Sequence, residues 1–226
     1  MIGRAVDRYD FIVDRCRSTN VLHIGCADAP YHQDAITGSR WLHDLLVAVS
    51  NRCVGLDIDE AAVAWLRERR PDYNFVVGDV SKASILFGSD EFDVIVLSEV
   101  LEHLEEPGDA LRALRPVVKL GGRLIVTVPN GLAARRGLKS LMGLETIHPD
   151  HVAWYSRKAI SHLLARTGWT VDELRGYRLT ARNGRPSTLI WDVLASMCSE
   201  FACEGIAATA IRGTTQAEST ATGLKR

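Results

Sequence analysis

The stretch "HPDHVAWYS" sets His148, Asp150 and His151 close together, with Trp154 and Tyr155 just after them. Two imidazoles with an acid between them supply a general base and a group to orient it, beside an aromatic wall. The same three side chains would also suit a zinc or iron ion. Plain structural roles compete with both: a loop cap for His148 beside Pro149, and packing for His151. His103, in "SEVLEHLEEP", is a third candidate for proton transfer, since imidazole titrates near neutrality and Glu102 precedes it. Its plain role is to orient the following loop. Other residues suit binding. Gly25 in "VLHIGCADAP" lacks a Cβ, so the chain can turn sharply and a ligand can approach its backbone. Asp57 in "VGLDID" could accept hydrogen bonds from both hydroxyls of a ribose, whereas Asp59 suits a helix N-cap. Asp79 in "VVGD" could meet the exocyclic amine of a purine, cap the next short segment, or do both.

These residues act together only if the fold brings them to one edge. The apolar spacing predicts helices over 4–17, 39–51, 60–70, 107–122, 156–169 and 187–201. Pro71 stops the third, a glycine pair ends the fourth and Ser156 caps the fifth. Strands are predicted over 20–25, 52–59, 73–79, 92–100, 123–130, 170–179 and 204–213, and 131–155 reads as an irregular basic segment with room for a short helix. Strands and helices alternate, and the central strands are continuous apolar runs. Both features predict an α/β doubly wound, seven-stranded, mostly parallel sheet covered by helices on both faces. Ligands bind such sheets beyond the carboxyl ends of the strands, where the strand order reverses. Gly25–Ala29, Asp57–Asp59, Gly78–Asp79, Ser98–His103 and Pro129–Asn130 are therefore expected around one crevice.

The balance of charge narrows the partners. The 226 residues carry a formal net charge of −1, with 46% hydrophobic and 24% charged residues. No global field favours nucleic acid or a membrane surface. Arg135, Arg136 and Lys139 form a local basic group that reads more simply as a solvated helix face than as an anion site. No apolar run approaches a membrane span, and the first residues carry charges throughout, unlike a signal peptide. Cys16, Cys26, Cys53, Cys198 and Cys203 are scattered and odd in number, which suggests reduced thiols of a cytoplasmic protein.

Four segments in order, "VLHIGCADA", "VGLDID", "VVGD" and "FDVIVLSEVLEHLEEPGDALRALRPVVKLGGRLIVTVPN", resemble the class I S-adenosylmethionine-dependent methyltransferases. The small-molecule branch is the most similar. The resemblance covers about residues 20–212, and the segment from Ser98 to Asn130 is its most specific part. It implies a Rossmann-like sheet with an antiparallel final hairpin, a methyltransferase domain over 1–212 with a lid at 131–155, and a flexible tail over 213–226. The family loop usually reads D-x-G-x-G-x-G. Here His23 replaces the acid, Ala27 and Ala29 replace glycines, and Asp28 is an added acid. The implied cofactor is S-adenosyl-L-methionine, with S-adenosyl-L-homocysteine as product. It would lie over Gly25, Ala27 and Asp28, with its ribose on Asp57 and Ile58, its adenine at Asp79 and Val80, and its methionine end by Ser98 and Glu99. Arg8 and Tyr9 would cover it, with Arg8 on its carboxylate. A metal is not predicted. The expected acceptor is a small molecule, a sugar or secondary metabolite methylated on a hydroxyl, with His148, His151 or His103 as base. N-methylation and cofactor binding without turnover are the alternatives.

Overall fold

The computed structural model describes residues 5–29, 33, 36, 41–89, 91–144, 148–178 and 203–213. The elements run β1 (Val6–Asp7), α1 (Arg8–Cys16), β2 (Asn20–Ile24), α2 (Leu42–Val49), β3 (Arg52–Asp57), α3 (Glu60–Arg69), β4 (Asn74–Val77), α4 (Ala83–Phe87), β5 (Phe92–Ser98), α5 (Pro107–Leu114), β6 (Val118–Pro129), α6 (Ala134–Leu141), α7 (Arg157–Arg166), β7 (Trp169–Arg178) and β8 (Gly205–Arg212). Single-turn 3-10 helices at Val80–Lys82 and Leu101–His103 follow β4 and β5. The sheet order is β1-β7-β8-β6-β5-β2-β3-β4. All neighbours are parallel except that β8 runs antiparallel to both β6 and β7. The order reverses at β2, which has β3 on one side and β5 on the other. A crevice opens there because the connections after β2 and after β5 run in opposite directions, to β3 and to β6.

Side-chain alternation explains why these strands are apolar throughout. Along β2, Leu22 and Ile24 enter a cluster with Ala110, Leu111, Ile160 and Leu164 from α5 and α7. Val21, one residue out of phase, enters the opposite cluster with Phe11, Ile12 and Leu46 from α1 and α2. Both faces are buried, so neither can carry the polar half of an alternating pattern. Helix starts follow local chemistry: Asp7 accepts from the Tyr9 and Asp10 N–H groups, Asp59 from Ala62 and Ser156 from Ala159. Pro107 opens α5, where its missing N–H costs nothing.

The sheet has eight strands rather than the expected seven, because β1 pairs in parallel with β7 at the outer edge. The helix expected over 4–17 starts only at Arg8, since Val6 and Asp7 stay extended as far as the Asp7 cap. The helix expected over 107–122 ends at Leu114, and β6 begins at Val118. The "KLGG" glycines imitate a helix stop, but the chain pairs Val118 with Phe92 and, past an irregularity, Arg123 with Val94. The basic segment does contain a helix, α6. The expected helix at 187–201 and most of the expected tail lie outside the described residues. Cys16, Cys26 and Cys53 are free and buried, and Cys203 is buried. Among the described residues no helix is long and apolar enough to cross a membrane.

Candidate active site

A cavity of about 470 Å³ opens at the carboxyl ends of β2, β3 and β5. Small-molecule sites fall in the range of roughly 300–1,000 Å³. Gly25, Asp28, Asp57, Ile58, Ser98, Glu99, His103, His148 and His151 all line it, together with Arg8 and Tyr9 from α1. Ala27, Asp79 and Val80 are not among its lining residues. Ala27 is buried and donates its N–H to Asp57, Asp79 caps the following turn by accepting from the Ser81 N–H at 2.8 Å, and Val80 packs in the core.

The loop after β2 is built around three residues. Gly25 takes φ +70°, and a Cβ on it would lie 2.6 Å from Val100 Cγ2. Such a backbone at such a distance excludes any side chain. Asp57 Oδ2 accepts from the Ala27 N–H at 2.8 Å and Oδ1 from the Asp59 N–H at 3.1 Å. Each oxygen keeps a further lone pair for a ligand hydroxyl. His23 occupies the place of the usual loop acid. Its Nδ1 lies 3.1 Å from Nδ1 of His43, whose ring is fully buried. Burial lowers both imidazole pKa values, that of His43 to about 4, so the pair is neutral at physiological pH.

The wall along α1 and β5 is a charged network. Glu99, at φ +55°, accepts from the Tyr177 hydroxyl at 2.7 Å and lies 3.7 Å from Arg8 Nη1. Arg8 also donates to the Tyr9 hydroxyl, while its buried Nε finds no partner among the described residues. Ser98 Oγ lies 2.9 Å from Thr127 Oγ1.

Three histidines close the far end. Ring centroids separate His103 and His151 by 4.6 Å, His148 and His151 by 5.3 Å, and His103 and His148 by 6.1 Å. Two backbone bonds hold them together: the Val152 and Ala153 N–H groups both donate to the Glu102 carbonyl, at 2.8 and 3.2 Å. His103 Nδ1 meets the Asp150 carbonyl at 3.2 Å, and His148 Nδ1 lies 3.5 Å from Asp150 Oδ2. Burial and the neighbouring histidines lower the His151 pKa. Beneath them Glu102 is buried, and neither carboxylate oxygen has a hydrogen-bond partner among the described residues. Burial and Glu99 push its pKa up to about 8. In the sequence Glu102 read only as a neighbour of His103; its burial depends on the Val152–Ala153 backbone pairing with it across the chain, which local pattern does not encode.

Comparison with known proteins places this architecture. The sequence profile of a family described as "Methyltransferase domain" matches residues 3–174. A probable S-adenosylmethionine-dependent methyltransferase of Mycolicibacterium smegmatis is 27% identical over 168 residues, 74% of this chain and 58% of that protein. A demethylmenaquinone methyltransferase of Renibacterium salmoninarum is 34% identical over 73 residues, 32% of this chain and 30% of its own. The chain therefore spans little more than half the length of the first of these relatives. Among solved structures, a putative methyltransferase of Bacillus halodurans superposes with a TM-score of 0.61 at 15% identity, covering 92% of this chain and 98% of that one. The [4+2]-cyclase SpnF superposes with a TM-score of 0.59 at 15% identity, covering 94% and 88%. At such identities the superpositions show the fold.

Proposed function

The chain belongs to the methyltransferase-domain family of the class I S-adenosylmethionine-dependent kind, and from that premise we propose that it methylates a hydroxyl of a small molecule, a sugar or secondary metabolite, with a lid histidine as general base. One observation carries the reading: a single cavity at the strand reversal has Asp57 at one end and three histidines at the other.

The cofactor half of the cavity fits the methyl donor on three counts. Asp57 has spare acceptor capacity for two ribose hydroxyls. Gly25 leaves a bare turn where a Cβ would collide. Arg8 brings a cation to the cavity lining for a carboxylate, and its Nε has no partner among the described residues. When bound, S-adenosylmethionine supplies a methyl group already activated on a sulfonium. Adenine contacts for Asp79 and Val80 have less support, since both stand outside the cavity lining.

The chain's own residues then position the acceptor and remove its proton. An alcohol has to lose a proton as its oxygen attacks. His148, held at its Nδ1 by the Asp150 N–H at 3.4 Å, and His151, whose pKa burial and its neighbours lower, suit that role. The test is an acceptor panel, sugars first, scored by S-adenosylhomocysteine release. Turnover on hydroxyl acceptors that falls in the His148→Ala or His151→Ala variants supports the reading. Turnover confined to amines, or undiminished in both variants, overturns it.

A further inference from the structure

The buried carboxyl of Glu102 has no role in the reading above, yet it sits under the histidine cluster with both oxygens unpaired among the described residues. An unpaired buried carboxyl is costly and calls for an explanation. One lies next to it. Glu102, His103 and His151 each offer a ligand atom, and these atoms all fall within 4.8 Å of one another. We propose that Glu102, His103 and His151 form a divalent transition-metal site at the acceptor end of the cavity.

Four features support it. The donor set, two imidazoles and one carboxylate, suits zinc and its neighbours rather than magnesium. Zinc sites that do chemistry use three protein ligands and leave a fourth position open. Here Glu102 is buried, His151 half-buried and His103 exposed, so the open position faces the cavity. The tautomer of His103 is already set. Its Nδ1 faces the Asp150 carbonyl at 3.2 Å and donates there, which leaves the Nε2 lone pair for the ion. Zinc–ligand bonds of about 2.0–2.1 Å at tetrahedral angles put donors about 3.4 Å apart, so the donors close by at most about 1.4 Å from their present spread. Glu99 is not part of the set, because Tyr177 and Arg8 already engage it.

The proposal deepens the hydroxyl-methylation reading and rests on it for its chemistry. An acceptor oxygen taking the open position becomes more acidic. Its proton passes to His148, which lies beside the triad and outside it. The oxygen lone pair then forms the O–CH3 bond as the S–CH3 bond of the donor breaks, leaving neutral S-adenosylhomocysteine. The ion changes no oxidation state.

The test uses the full chain stripped with a chelator, titrated calorimetrically with zinc and optically with cobalt(II). One equivalent of zinc at micromolar affinity or better is expected, with nitrogen- and oxygen-type cobalt absorption. Glu102→Gln and His103→Ala should each weaken zinc binding at least tenfold, and His148→Ala less than threefold. Glu102→Gln keeps the side-chain shape and removes the ionisable oxygen that would ligate the ion, so it serves as the variant that folds, checked by circular dichroism. Failure to take up zinc overturns the proposal. So does equal affinity in the folded Glu102→Gln variant, or an intense thiolate-to-cobalt band, which would place the ion at the buried cysteines. Titration of the same samples with S-adenosylhomocysteine keeps the two readings apart. Zinc binding without S-adenosylhomocysteine binding sinks the methyl-transfer reading and leaves the metal site standing; the reverse sinks only the site.

Discussion

The buried imidazole pair should make this protein lose stability in mild acid, by an amount the structure sets. His43 is fully buried and its Nδ1 faces Nδ1 of His23 at 3.1 Å, so one ring donates, the other accepts, and a second proton would place an unsolvated charge in the core. Burial lowers the His43 pKa from 6.5 to about 4. An unfolded chain therefore takes up a proton below pH 6.5 that the folded chain refuses until about pH 4. Stability from this group is complete above the upper value and drains away as pH falls through the window. The full span amounts to about 3 kcal/mol, of which about 2 kcal/mol is lost between pH 7.5 and pH 5. His23 shifts in the same direction and adds to the loss. Urea unfolding at those two pH values, in the wild type and in His43→Phe, isolates the His43 share. Phenylalanine suits the site, since His43 packs against Trp41, Tyr73 and Phe75. The variant should lose about 2 kcal/mol less than the wild type on acidification, because its ring cannot titrate. Equal losses in the two proteins would refute the neutral buried pair.

Other consequences can be checked alongside. Asp57→Ala removes two charge-assisted acceptors and should weaken S-adenosylhomocysteine binding by about a hundredfold or more, since such bonds contribute roughly 1.5–3 kcal/mol each; calorimetry showing unchanged affinity would remove Asp57 from the ribose site. His148→Ala and His151→Ala should lower turnover by about 10²–10⁴-fold with S-adenosylhomocysteine affinity spared, and parallel losses of both would point to a structural role. Gly25→Ala must hold φ +70° and press against Val100, so thermal unfolding should show a loss of about 1–3 kcal/mol. Gly205→Ala would set a Cβ 2.0 Å from the Tyr177 ring, and soluble protein with wild-type melting would contradict the packing of β7 on β8.

The fold was legible where burial and capping act locally. Continuous apolar runs such as Val94–Leu97 read as strands covered on both faces, and they are buried there. Asp59 and Ser156 read as N-caps because a short acceptor before an apolar helix has little else to do, and both cap. Local signals failed where pairing overrode them. The "KLGG" stretch looked like a helix stop, but Val118 across from Phe92 turned it into strand. The two residues of β1 had no pattern long enough to show. Strand ends are where a parallel sheet delivers its loops, so Gly25, Asp57, Glu99 and His103 could be gathered from sequence onto one crevice, and they line one cavity. Ala27 and Asp79 follow the same logic by position, but the Ala27 N–H is engaged by Asp57 and Asp79 caps the Ser81 N–H outside the cavity lining. The pairing of His23 with His43 and the burial of Glu102 were not legible, because each depends on a partner brought in by tertiary packing.

The central claim is that the cavity beyond β2, β3 and β5 holds S-adenosylmethionine despite a loop with His23, Ala27 and Ala29 in unusual places. Calorimetric titration of the purified chain with S-adenosylhomocysteine tests it most directly. Saturable one-to-one binding at micromolar affinity or tighter is the predicted result. No heat of binding, from protein shown to be folded and supplied with zinc, would contradict it.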